Sequence, residues 1–398
     1  MGLIPLIVLI GQAKKPAVVA APVVQGAPAG YRFIEVAHTK DTYKEFHGAP
    51  TLNATGITAF TATMDAGEKV IAFSSGGPPQ FAVSTKDRFT NLDPTPVIND
   101  AWDVTFVGHI ENQGSGVFFK PLGAEPTIVA DTLFNFTRFK GTPDIDSRGQ
   151  VVFYGEIDTR LPDGGIPIPE ESRPEDFPNP DASEENPAMP YTPGMGIFIN
   201  TQIQTLVVVD TLRSLEKVEP FVSLSETGSV AFIGTTRDKV RGLYVQPPGP
   251  QMALPIVDDS SFYSDFGPPV LTKQDELCFW AKKKDKSEAI LVTQATGGQL
   301  REVVGSHEGE GRTFDPVIGH SDQGATLFIA REKGGPVLCL ARRLGPPVRV
   351  IQRGSPLGGS AVEDIFIASR SVNDRGQFCF HVKFKNDEAA IYLATPTQ

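Results

Sequence analysis

Seven times along this chain a small polar residue is followed by Gly, or a stand-in for it, three positions on and by Phe seven positions on. The copies run Asn53 to Phe60, Asn99 to Phe106, Asp146 to Phe153, Ser225 to Phe232, Thr272 to Phe279, Ser321 to Phe328 and Asn373 to Phe380, at spacings of 46, 47, 79, 47, 49 and 52 residues. A recurrence of this length means one supersecondary unit copied along the chain, each copy too small to bury its apolar surface alone. Whatever the fold is, like units must cover one another.

Each unit reads as an antiparallel meander. A first strand, usually carrying Pro, ends at the Asn, Asp, Ser or Thr, whose side chain can bond the backbone of its own turn. The Gly that follows supplies the left-handed conformation of a type I turn with a bulge. The run ending in a small residue and Phe is the second strand. A third follows at Val117 to Phe119, Ile197 to Ile199, Leu243 to Val245, Ile290 to Val292, Val337 to Cys339 and Ile391 to Leu393. A fourth appears at Thr127 to Ala130, Leu206 to Val209 and Arg301 to Val304.

The third copy is the hardest case, because residues 144–153, Asp-Ile-Asp-Ser-Arg-Gly-Gln-Val-Val-Phe, also open like a calcium loop. An EF-hand loop wants Asp or Asn at its fifth place, Glu at its twelfth and a helix on each side. Here Arg148 and Gly155 hold those places, and the six sister copies replace Asp146 with Asn, Ser or Thr. The stretch is a hairpin turn. A calcium ion has no motif behind it, and no cofactor is expected.

With 39 Gly and 34 Pro in 398 residues, turn formers are dense, and no window keeps apolar residues at helical spacing for three turns. The class is all-β. Four strands per unit with both faces apolar require sheets covered on both sides, and radial stacking of such sheets gives a β-propeller. The expected fold is a seven-bladed β-propeller of four-stranded antiparallel blades, a single domain over residues 31–398. The last unit stops after its third strand at Leu393, while Tyr31 to Thr39 matches the fourth-strand pattern of Ile128 to Thr132 and Val207 to Thr211. An N-terminal strand that completes the last blade would close the ring and remove the sheet edges. An open stack, or two packed sandwiches, is the competing architecture.

The pattern resembles the bacterial tandem-repeat family named for its motif, NxxGxxAF, whose members are exported and largely uncharacterised. Asn53, Gly56, Ala59 and Phe60 match in full, and Asn373, Gly376 and Phe380 nearly so; Trp102 and Asp275 depart at the Gly position. The resemblance covers residues 31–394. It implies a propeller-like fold and export, and it carries no catalytic residues.

The first 30 residues read as an export signal, with an apolar core at Leu3 to Ile10, followed by an Ala/Pro-rich linker. No positive charge precedes that core, so the match is incomplete, and a cytoplasmic start is the alternative to a periplasmic or secreted protein. Eight apolar residues are too few to span a bilayer, so no membrane span is expected. A formal charge of −11 repels phosphate backbones and argues against nucleic acid as a partner. Cys278, Cys339 and Cys379 sit in apolar runs and read as core residues, not a disulfide framework.

The 79-residue interval holds an insertion at 158–193 with nine Pro, nine acidic and two basic residues. It falls between a second and a third strand, where it reads as a lid or docking arm, or as a tolerated surface insertion. On that same face the loops entering each blade hold His38, Ser84, Asp131, Asp210, Asp258 and Gly305 at equivalent places. His38, Asp131, Asp210 and Asp258 are the candidate ligand contacts, with carboxylates suited to a cation or a polyhydroxyl ligand. Asp is also an ordinary turn former. No G-x-S-x-G, H-E-x-x-H, P-loop or dinucleotide motif appears, and the six His show no metal-ligand spacing. The first functional reading is a non-catalytic, exported, monomeric binding or scaffold propeller that recognises a protein or glycan on the face carrying the 158–193 insertion. The alternative is a hydrolase or lyase acting on polysaccharide through channel-mouth carboxylates, which would need paired acids about 5–10 Å apart.

Overall fold

The computed structural model describes residues 30–133, 135–158, 194–249, 251–260, 262–306 and 311–397. Among them are seven antiparallel sheets and no helix. Blade three shows the unit: strands Phe136–Ile145, Val151–Ile157, Gly194–Asn200 and Thr205–Asp210 lie side by side in chain order. In blades two and five the first strand is interrupted, as Phe89–Leu92 with Val97–Ile98 and as Tyr263–Phe266 with Val270–Leu271.

The seventh blade is built from both ends of the chain. The N-terminal strand Tyr31–His38 pairs with Ala389–Pro396, Phe33 facing Ala394 and His38 facing Ala390. Beyond it come Phe378–Phe384 and Ser360–Phe366. Phe33 is fully buried and meets Phe380 edge-on at 5.4 Å. The ring closes as the repeat pattern implied.

Seven apolar layers hold the blades, one between each adjacent pair, including the pair that joins blade seven to blade one. The repeat Phe at the end of each motif, from Phe60 to Phe380, is no more than 1% exposed in every copy. Burying each contributes about 2–3 kcal/mol. The three cysteines are buried in these layers with free thiols.

All seven motif turns take one shape. The residue at the Gly position is left-handed in every copy, with φ from 61° at Asp275 to 94° at Gly228. Its amide donates to the carbonyl of the motif's polar residue, as from Gly149 to Asp146 at 3.2 Å, while the Asp146 amide donates to the Gln150 carbonyl at 3.1 Å. Trp102 adopts φ 72° where five sister copies have Gly, and for a bulky residue that backbone costs about 1–2 kcal/mol.

The turns are also tied to one another, a link that the sequence did not signal. Asn373 donates its side-chain amide to the Asn53 carbonyl at 3.0 Å, Asn53 to the Asn99 carbonyl at 3.2 Å, and Asn99 to the Asp146 carbonyl at 2.9 Å. Each Asn oxygen meanwhile accepts two amides of its own turn, as from Thr55 and Ile57 to Asn53. Among the motif residues Asn alone carries acceptor and donor on separate atoms, so that one serves its own turn while the other reaches the next. Where Asp, Ser or Thr interrupts the chain, the next residues make the link instead: the Ser147 amide donates to Glu226, the Thr227 hydroxyl to Asp275, and the Gln274 amide to Asp322.

Candidate functional site

In blades one to six the first strand lines the central channel with one edge unpaired, which is where Pro is tolerated in a sheet. Blade three shows how tightly these inner strands pack. Its register with the second strand breaks between Lys140 and Asp144, around Gly141 and Pro143. A Cβ on Gly141, at φ +71°, would lie 2.0 Å from the Pro220 carbonyl oxygen of blade four, so no side chain fits. The same constraint holds Gly267 against Pro316.

Arg370 bridges the channel. Arg370, on the segment joining the first two strands of blade seven, grips both carboxylate oxygens of Asp144 on blade three, at 3.1 and 2.7 Å. A terminal nitrogen of the same guanidinium donates to the Leu224 carbonyl of blade four at 2.6 Å. Asp144 accepts in turn from the Leu224 amide at 2.8 Å. In a ring of seven, blades three and four stand opposite blade seven, so this is a strut across the whole channel.

Arg370 also lines a cavity of about 60 Å³ at the channel mouth, on the face that carries the seven motif turns. That volume suits a few waters or one small polar group. The residue directly after the motif's polar residue belongs to this mouth in six of the seven copies: Ala54, Asp100, Glu226, Lys273, Asp322 and Asp374 all line it. Their chemistry differs although their place in the repeat is the same.

The charges are partly committed. Asp100 contacts the Lys273 ammonium from across the mouth and accepts from the Ala54 amide at 2.8 Å. Burial opposes the charged form of Asp100, but these partners hold its carboxyl below the usual range. Asp374 behaves in the opposite way. Burial, together with the neighbouring Asp322 carboxylate within hydrogen-bonding reach, pushes its carboxyl up. His320 forms part of the wall, its Nδ1 2.8 Å from the Thr326 hydroxyl and its Nε2 3.4 Å from Glu276.

The four candidate contacts drawn from the sequence lie elsewhere. His38, Asp131, Asp210 and Asp258 end the outermost strands of blades seven, two, three and four, on the face opposite the motif turns. Each is occupied by its own turn: His38 accepts from the Lys40 amide at 2.9 Å, Asp131 from Leu133 at 3.0 Å, Asp210 from Leu212 at 3.0 Å and Arg213 at 2.9 Å, and Asp258 from Ser260 at 2.9 Å. Among the described residues no three His, Cys, Asp or Glu come together as a metal set. The insertion at 158–193 lies outside the described residues beyond Asp158. Its flanks, Ile157 and Gly194, face each other across the sheet on the side of the four candidates.

No protein-family profile and no curated relative matches the chain. Solved structures do match in shape. An oligogalacturonate lyase in complex with manganese superposes with TM-score 0.54 at 11% identity, over 93% of this chain and 99% of that one. A prolyl endopeptidase gives TM-score 0.52 at 12% identity over 90% of this chain, and an acylaminoacyl peptidase of Pyrococcus horikoshii 0.52 at 14% over 90%. The chain spans about half the length of these two peptidases, 51% and 53%. At such identities the likeness speaks for the propeller alone. No helix among the described residues is long and apolar enough to cross a membrane.

Proposed function

We propose that this is a non-catalytic binding propeller that takes an ammonium or guanidinium group of a protein partner at the channel mouth on the motif-turn face. One observation carries the reading. The repeat fixes the shape of every turn, yet at the place directly after the turn residue six of the seven copies line the mouth, with Ala, Asp, Glu, Lys, Asp and Asp. A fixed frame with varied groups converging on one cavity is how a recognition ring is built. Asp322 and Asp374 give the ring an excess of negative charge that Lys273, engaged by Asp100, does not neutralise. A ligand cation would relieve their repulsion. The resemblance to an exported repeat family and the apolar Leu3 to Ile10 support a periplasmic or secreted setting.

The test is calorimetry with N-acetylarginine amide and its neutral citrulline counterpart. Binding of the first alone, weakened at least tenfold by Asp322→Asn with Asp374→Asn and accompanied by proton release, is the expected result. Equal binding of both compounds, or binding indifferent to those substitutions, overturns the assignment.

The polysaccharide reading has one observation in its favour, since Asp322 and Asp374 are an acid pair at the mouth. Two carboxyls within hydrogen-bonding reach are closer than the separations of about 5–10 Å that glycosidic cleavage uses. The likeness to an oligogalacturonate lyase makes oligogalacturonate with manganese the probe of choice. Release of unsaturated product that Asp374→Asn abolishes would establish that reading in place of ours.

A further inference from the structure

A second cavity, sharing no residue with the mouth, opens on the motif-turn face between blades one and two. It has a volume of about 270 Å³. Its walls come from the ends of Lys69–Ser74 and Gly114–Lys120, the start of Gln80–Ser84, the motif turn at Trp102 and the loop from Pro121 to Gly123. Phe73, Trp102 and Val104 belong to the apolar layer that joins the two blades, and half-buried Leu122 packs against it. With walls of this kind, about 150 Å³ is enough to hold a benzene ring.

Lys120 brings the one charge among the residues that line it. It stands directly opposite Val104, so its side chain leaves the sheet on the face turned to blade one, toward the cavity. The ammonium donates to the neighbouring Pro121 carbonyl at 3.1 Å and, among the described residues, forms no ion pair. Burial lowers its pKa, and the Glu125 and Asp103 carboxylates, beyond ion-pairing distance, offset this only in part. Asp103 is itself engaged, accepting from the Asn99 side chain at 3.1 Å and the Leu122 amide at 3.2 Å. A half-buried ammonium without a counter-charge gains from an incoming anion.

The repeat supplies an independent observation. At the register place of Lys120 the other six blades carry neutral residues, as Ser74 in blade one and Asn200 in blade three. At the place of Trp102 five copies have Gly and the sixth has Asp275. Blade two departs from the repeat at both places, and both departures line one cavity. The hairpin itself needs neither, because the sister copies build it without them.

We propose that this cavity binds a small carboxylic acid with an apolar, ring-sized body, its carboxylate on Lys120 and its body against Phe73, Trp102 and Leu122. One ammonium with two acids at longer range matches a single negative charge, which favours a carboxylate over a phosphate dianion. The site is independent of the mouth, whose ligand carries the opposite charge.

The test is calorimetry on the full chain at low salt with phenylacetate, its neutral amide phenylacetamide, and acetate. Phenylacetate is expected to bind about tenfold or more tightly than either, because the amide lacks the charge and acetate lacks the body. Lys120→Met keeps the apolar stem and removes the ammonium. It should weaken phenylacetate about tenfold or more, leave phenylacetamide unchanged, and not lower the unfolding midpoint. Leu122→Ala, in the loop, should weaken both aromatic compounds about threefold. Asp322→Asn with Asp374→Asn at the mouth should leave phenylacetate binding unchanged. Equal binding of acid and amide, phenylacetate binding that Lys120→Met leaves intact, or no heat from phenylacetate at tens of millimolar overturns the proposal.

Discussion

Arg370 and Asp144, 226 residues apart in the chain, form a two-pronged ion pair at 2.7 and 3.1 Å that joins blade seven to blade three across the channel. The pair is sheltered, with side-chain exposures of 20% and 7%. Cutting one side leaves the other charge sheltered without its counter-charge. Arg370→Met or Asp144→Leu should each cost about 3 kcal/mol in urea unfolding, and the double substitution should cost clearly less than the sum. Strict additivity would show that the strut does not act as a unit.

The asparagine links between turns separate two roles that a simple alanine scan would merge. Asn53→Ala removes the acceptor for Thr55 and Ile57 and the donor to the Asn99 carbonyl, and should cost about 2 kcal/mol. Asn53→Ser keeps an acceptor for its own turn, as Ser225 and Ser321 do, and loses the donor to the next turn, so it should cost about 1 kcal/mol, read from thermal unfolding. No loss with Asn53→Ser would mean that the link between blades contributes nothing.

Trp102 sets backbone strain against burial. Replacing it by Gly relieves the left-handed conformation, worth about 1 kcal/mol, but deletes an indole that is 5% exposed and meets Phe73 edge-on at 5.8 Å. Losing the buried indole costs more than the relieved strain returns, so Trp102→Gly should destabilise by about 2–4 kcal/mol. A gain in stability would show that the strain outweighs the packing.

Two enclosed histidines should shape the pH dependence in opposite senses. Burial opposes a charge on His320, but the Cys278 sulfur and the Glu276 carboxylate push its pKa up to about 9 from 6.5. Its contribution is complete below pH 6.5 and is lost as pH rises through about 9. Burial drives His381 down to about 4: its Nδ1 bonds the Gly48 carbonyl at 3.0 Å, and its Nε2 has no partner to accept a proton's charge. That contribution is complete above pH 6.5 and is lost as pH falls through about 4. Urea midpoints measured across pH should fall on both sides of 6.5. His320→Gln should flatten the alkaline side and His381→Gln should reduce the acid side; unchanged slopes would refute the assignments.

Ring closure by Tyr31–His38 has a consequence for truncation. A chain starting at Thr39 loses the strand that covers Ala389–Pro396, and with it the fully buried Phe33. It should express as aggregate or unfold without cooperativity, because an apolar sheet edge is left open. A chain starting at Gly30 keeps that strand and is the reference for the comparison.

The repeat alone was enough to locate the strands, the turns and the ring closure, because strand pairing and turn chemistry are local and each copy restated them. The left-handed position could be read where Gly marks it; at Trp102 and Asp275, which depart from Gly, only the structure shows that the turn keeps the same backbone. The candidate site could not be read in the same way. His38, Asp131, Asp210 and Asp258 occupy equivalent places in the repeat, but those places lie at the outer ends of separate blades, where each side chain satisfies its own turn. The residues that do meet, Asp100, Lys273, Asp322 and Asp374 with Arg370, owe their contact to the closed circle, which brings blades distant in sequence to within a few ångströms at the axis. Equivalence in the repeat is a property of the chain. Convergence depends on the radius at which the fold places each position, and only the tertiary structure sets that.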